Sequence, residues 1–209
     1  DIPFEKLDVI TYSWQKVLGG EAAHGMLILS PNAVKRLESY TPDRALPKLF
    51  RMTKNGKLNE GIFEGATINT PSLLCTEDYL QALTWVEGLG GVSAMKARSD
   101  KSLKVLEDWE ARTDWIGHLC EDASVRSNTG VCFRVVDPRV TALSLDEQEA
   151  FVKGVVGRIE KEGAGYDFNG YRDAPPGLRI WVGGTVEPSD VEKLLPWIEW
   201  SFAESIKEL

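Results

Sequence analysis

Thr11-Tyr12-Ser13-Trp14-Gln15-Lys16-Val17-Leu18-Gly19-Gly20 sets one lysine among apolar and aromatic neighbours, just ahead of a glycine turn. Upstream, Leu7-Asp8-Val9-Ile10-Thr11-Tyr12 has the β-branched and aromatic make-up of a strand. Downstream, Gly25 to Leu29 (GMLIL) reads as a second, buried strand, and Ser30-Pro31 opens a helix that runs to about Tyr40. Lys16 therefore falls at a strand end. A lysine packed there beside aromatic groups loses solvation, which disfavours its ammonium and makes a neutral, nucleophilic amine accessible. An imine with a carbonyl cofactor requires such an amine. The same side chain could instead reach water over an apolar stem, and spacing by itself leaves both readings open.

Working outward, residues 41–66 carry prolines, glycines and basic residues without sustained periodicity, the pattern of a long excursion. Asn69-Thr70-Pro71 then opens a helix, with Pro71 in its first turn, an apolar stripe of Leu73, Leu80, Leu83 and Val86, and a stop at Gly88 with Gly90-Gly91. A boundary is expected near residue 92, where a charged amphipathic helix to about Arg112 begins. Beyond it come a strand over Val131 to Val136 and a helix boxed by Ser144 and Glu147 with Phe151, Val155, Val156 and Ile159 on one face. A strand over Leu178 to Val182 follows. The last helix has the same box pattern at Ser189 and Glu192, with Val191, Leu194, Leu195, Ile198, Phe202 and Ile206 at helical spacing.

Composition narrows the function. With 24 basic and 32 acidic residues among 209, the formal charge is −8, which disfavours nonspecific attraction to nucleic acid or to an anionic membrane. Any anionic ligand needs a local cationic pocket. Cys75, Cys120 and Cys132 are an odd number without paired short spacing, so neither a disulfide framework nor a metal site is expected, and a reducing cytoplasm fits. No apolar run reaches bilayer length, and the start lacks a signal-peptide pattern. The chain reads as beginning in the middle of a domain.

Two further places carry chemistry. Asn69 and Thr70 are small polar residues next to a helix start, where free N–H groups favour an anion, although simple capping is the plainer reading. Tyr171-Arg172-Asp173-Ala174-Pro175-Pro176-Gly177-Leu178-Arg179 separates two arginines by a turn. The planar fork of arginine can grip a carboxylate through two parallel hydrogen bonds; an exposed arginine and a strand-end ion pair are the plainer readings. His24 and His118 read as structural.

Four segments in order, YSWQKVLGGEAAHG, INTPSLLCTEDYL, SVRSNTGVCFRVVDP and GYRDAPPGLRIWVGGTVEPSDVEKL, resemble the phosphoserine aminotransferases, fold-type I pyridoxal-phosphate enzymes. The resemblance covers essentially the whole chain. It implies an α/β class: residues 1–91 as the remainder of the large cofactor domain, the C-terminal part of it, and residues 92–209 as a small α+β domain.

By that resemblance, Lys16 binds pyridoxal 5'-phosphate covalently and moves the proton, while Gln15, Asn69 and Thr70 contact the cofactor phosphate, the last two across a homodimer with shared active sites. Arg179 holds the substrate α-carboxylate and Arg172 the distal anion. Tyr171 stands where other members carry histidine, and the turn after it is one residue longer. The implied reaction moves an amino group from glutamate to 3-phosphohydroxypyruvate, giving phosphoserine and 2-oxoglutarate in serine biosynthesis, with a parallel step in pyridoxine biosynthesis. The family's ring-stacking residue, glycine-rich phosphate loop and pyridine-nitrogen aspartate belong N-terminal to these segments, so the chain by itself is expected to be a poor catalyst. A transaminase for smaller amino acids and a noncatalytic dimerisation module are the alternatives, and retention of Lys16, both arginines and Asn69-Thr70 argues against the second.

Overall fold

The computed structural model describes residues 2–209. The chain divides into a first compact unit ending at Leu83 and a second from Thr84 to Leu209.

In the first unit, strands β1 (Val9–Ser13) and β2 (Gly25–Leu29) form an antiparallel pair with Val9 opposite Leu29 and Ser13 opposite Gly25. The residues before β1 start as a short 3-10 turn, Phe4–Lys6, so the strand begins two residues later than its apolar composition indicates. Helix α1 (Pro31–Ser39) follows, and the Ser30 hydroxyl accepts from the Ala33 N–H at 3.1 Å, the cap that the Ser-Pro pair predicts. The excursion after it is punctuated by 3-10 turns and a small hairpin of β3 (Thr53–Lys54) and β4 (Lys57–Leu58), turned by Asn55 and Gly56 in left-handed backbone.

Helix α2 (Leu73–Leu89) starts later than expected. Ser72 accepts from the Cys75 N–H at 3.4 Å, which is the cap geometry, so Pro71 lies before the helix and not in its first turn. Two expectations of burial also fail. In β2, Leu27 and Ile28 are exposed, and along α2 Leu73 and Leu80 are 71% and 50% exposed while only Val86 of the predicted stripe is buried. Alternation and helical spacing identify the side that wants cover, yet no layer in this unit lies on it.

The second unit is closed. Helix α3 (Gly91–Glu110) starts at Gly90 and Gly91, both at positive φ. An antiparallel sheet of order β5-β6-β7 joins β5 (Ile116–His118), β6 (Gly130–Val135) and β7 (Arg179–Trp181). Helices α4 (Pro138–Thr141) and α5 (Leu145–Lys161) follow β6, and α6 (Pro188–Ile206) follows β7.

Alternation along β6 and β7 sends Val131, Phe133 and Ile180 into the core and leaves Cys132 and Arg179, which are register partners, on the other face. The core side meets Leu106 and Trp109 of α3, Phe151, Val155, Val156 and Ile159 of α5, and Leu195, Ile198 and Phe202 of α6. Trp115 stacks on Phe202 at 3.8 Å. The buried Ser201 hydroxyl donates to the Val155 carbonyl at 2.7 Å, tying α6 to α5. Each buried aliphatic side chain contributes about 1.5–3 kcal/mol.

The Ser144–Glu147 box is present in full. The one predicted at Ser189 is not. Pro188 occupies the first turn, which moves the cap to Glu187, and the Glu187 carboxylate pairs with Arg98 instead of the helix backbone.

Candidate active-site residues

The lysine segment connects β1 to β2 and is anchored by Trp14. This ring is 4% exposed, stacks on Tyr79 of α2 at 4.2 Å, and meets the edge of His24 at 5.5 Å. The Tyr12 and Tyr79 hydroxyls are 2.9 Å apart, and burial, then that hydrogen bond, push the Tyr79 phenol up to about 12. Gly20 lies so close that a Cβ there would stand 2.6 Å from Trp14 Cδ1, and Gly19 takes positive φ, so the two glycines let the chain fold back over the indole. The Gly19 N–H donates to the Lys16 carbonyl at 3.0 Å and the Gly20 N–H to the Trp14 carbonyl at 3.2 Å.

Lys16 itself is exposed in that turn. The packing against aromatic groups belongs to Trp14: the indole takes the inward position, and Lys16, past the strand end, faces solvent, the second of the two readings that its spacing leaves open. Gln15 is exposed too, its N–H 3.5 Å from the Ser13 hydroxyl. Asn69 and Thr70 are exposed in the loop before α2. Ser72 fills the cap position, so capping does not account for either of them.

The arginines belong to the second unit. Arg179 opens β7 on the sheet face opposite the core, with its side chain 19% exposed. Its Nη2 donates to Asp167 Oδ2 at 2.7 Å, weaker contacts reach the Asn169 carbonyl from Nε at 3.4 Å and the Asp167 carbonyl from Nη2 at 3.5 Å, and the guanidinium lies 4.9 Å from the Tyr171 ring centre. Burial works against its charge, but the Asp167 carboxylate and the Tyr171 phenol more than offset that and hold it above the usual range.

Arg172 is exposed and, among the described residues, makes no ion pair or hydrogen bond. It lines a cleft of about 270 Å³ between the turn Tyr171–Gly177 and the Glu149 and Lys153 side chains of α5. Gly177 pins that turn, since a Cβ there would overlap the Phe133 carbonyl of β6.

No family model matches the chain. Phosphoserine aminotransferases of Methanosarcina barkeri and Methanosarcina mazei are each 54% identical to it over 202 residues, 97% of this chain and 52% of theirs. The chain is homologous to half of a phosphoserine aminotransferase.

It spans about half the length of the curated relatives it matches. The phosphoserine aminotransferase from Bacillus circulans subsp. alkalophilus shares the fold at a TM-score of 0.71 and 20% identity, over 97% of this chain and 49% of that one. The PLP-bound phosphoserine aminotransferase of Trichomonas vaginalis does so at 0.69 and 17%, over 95% and 49%. The fold is thus that of about half of these solved structures, and it is of the α/β class expected.

Of the residues that the phosphoserine aminotransferase resemblance singles out, Gln15, Lys16, Asn69 and Thr70 fall in the first unit and Tyr171, Arg172 and Arg179 in the second. Tyr171 is gathered onto Arg179 and borders the Arg172 cleft as well. Asp167 is the neighbour that sequence reasoning misses. It pairs with Arg179 from twelve positions away, beyond the reach of any local pattern.

Proposed function

We propose that this chain supplies the lysine- and arginine-bearing half of a pyridoxal-phosphate-dependent phosphoserine aminotransferase, exchanging the amino group between glutamate and 3-phosphohydroxypyruvate. The 54% identity over 97% of the chain carries this reading. Serine biosynthesis is the role it implies, with the parallel pyridoxine step, a cytoplasmic location and a homodimer. No helix among the described residues is long and apolar enough to cross a membrane.

The residues present suit the cofactor. The Lys16 amine has no side-chain partner among the described residues, and the Trp14 anchor fixes the turn that carries it. When bound, pyridoxal phosphate supplies the electron sink for the substrate α-carbon. Lys16 would hold it covalently and carry the proton that leaves and returns at that carbon. Exclusion of water from the amine would come with the rest of the enzyme, because in this unit Lys16 is open to solvent. Gln15, Asn69 and Thr70 would donate hydrogen bonds to the cofactor phosphate, Asn69 and Thr70 across the dimer.

Arg179 and Arg172 hold the two anionic ends of the substrate. The Arg179 fork can take a carboxylate bidentately, and its burial strengthens the grip. Arg172 projects from the turn that walls the cleft and takes the distal phosphate or carboxylate. Tyr171 gives that end a neutral hydroxyl where a histidine could have carried charge.

The test is absorbance of the cofactor-loaded chain during titration with phosphoserine, glutamate and alanine. Bleaching by phosphoserine and glutamate that weakens in Arg172→Ala, with alanine inert, supports the reading. Equal bleaching by alanine, unaffected by Arg172→Ala, would instead mark a transaminase for singly anionic amino acids.

A further inference from the structure

Arg179 already holds a carboxylate. The Asp167 Oδ2 lies 2.7 Å from its Nη2, in the position a ligand carboxylate would seek. The two residues are held as neighbours by backbone, since the Arg179 N–H donates to the Phe168 carbonyl at 2.8 Å, Asn169 and Leu178 form the adjoining bridge, and the Phe168 ring is buried in the core. Asp167 thus cannot drift away, and its carboxylate competes at a fixed, high local concentration.

The two partners differ in freedom. Arg179 is 19% exposed, with the Tyr171 ring over its guanidinium and two backbone carbonyls at its edge. Asp167 is 80% exposed, so its carboxylate can turn into water by side-chain rotation while the guanidinium stays in place. Its φ of 61° is the left-handed backbone that Asp and Asn tolerate better than other side chains, and the chain adopts it at the position that brings the carboxylate to Arg179.

We propose that Asp167 is a built-in competitor for Arg179, occupying Nη2 of the guanidinium until a ligand carboxylate displaces it, and thereby sets the carboxylate affinity and selectivity of the site. The inference rests on the reading of Arg179 as the carboxylate-holding residue. Displacement exchanges one carboxylate for another at constant charge in the fork. A ligand with a second anion to place elsewhere gains over a singly anionic one, which must repay the displacement from this contact alone. Neutral and cationic ligands have nothing with which to displace it.

The experiment titrates the 209-residue chain with glutarate, a plain dicarboxylate, and follows the Arg179 Nε–H resonance, assigned by its loss in Arg179→Lys. Asp167→Asn keeps a residue that accepts left-handed backbone, and Asp167→Gly is the second variant; both are expected to bind glutarate about fivefold more tightly than the wild type, the scale of an exposed ion pair. Unchanged or weaker binding in both variants, with the Arg179 shift still saturable, overturns the competitor role and leaves Arg179 as a carboxylate holder. Absence of any saturable, Arg179-dependent shift in all variants overturns both.

Discussion

Gly177→Ala tests how the fold positions the arginine pair. The added methyl would overlap the Phe133 carbonyl oxygen and lie 2.9 Å from its carbonyl carbon and 3.2 Å from Arg134 Cα, all backbone atoms of the central strand β6. Neither side can yield without parting β6 from the segment entering β7. That seam carries hydrogen bonds from the Phe133 N–H to the Leu178 carbonyl at 2.8 Å and from the Leu178 N–H to the Phe133 carbonyl at 3.1 Å. Losing both costs about 2 kcal/mol, and loosening the buried Leu178 adds about 1 kcal/mol.

A total of about 3 kcal/mol, at a slope of about 2 kcal/mol/M, lowers the urea midpoint of the second unit by about 1.5 M. Near-ultraviolet circular dichroism follows the transition through Trp109 and Trp115, and amide exchange reads the two hydrogen bonds directly. A midpoint within about 0.2 M of wild type, with the Phe133 and Leu178 amides still protected, would refute the close approach.

Gly154 lies exposed inside α5 with nothing within 4 Å of an added Cβ, so Gly154→Ala should stabilise the second unit by about 0.5–1 kcal/mol, read from the same urea transition. His118 is buried against Phe133 and, among the described residues, neither ring nitrogen has a partner; burial, then Arg126, hold its pKa low. The unfolded chain therefore takes up this proton first as pH falls below about 6.5, so stability declines there, and His118→Phe should flatten that decline in urea midpoints measured from pH 8 to pH 5. Tyr12→Phe removes the hydroxyl partner of Tyr79 and should bring the Tyr79 ionisation down from about 12 in an ultraviolet titration, with burial keeping it above an ordinary tyrosine.

The second unit was largely legible in the sequence because its helices are amphipathic and close on their own core: Phe151, Val155, Val156 and Ile159 are buried as their spacing indicates. The short strand β5 escaped notice, since Ile116–His118 offers only three residues and no alternation. Ser189 misled because Pro188 pre-empts the first turn of α6.

In the first unit the elements were readable and their burial was not. GMLIL forms β2 at the predicted residues, yet spacing cannot tell which layer will cover it. The same holds at Lys16, where spacing leaves a desolvated amine and a solvent-reaching one both open, and the Trp14 ring takes the buried place. Roles for Lys16, Arg172 and Arg179 came from the ordered recurrence of four motifs, and no spacing rule connects Arg179 to Asp167.

The most direct measurement is to load the purified chain with pyridoxal phosphate, reduce with borohydride and map the adduct by mass spectrometry, with Lys16→Ala as the control. The account predicts one dominant stable adduct, on the peptide containing Lys16, and its loss in the variant. Adducts scattered over many exposed lysines, at the same level in Lys16→Ala, would contradict it.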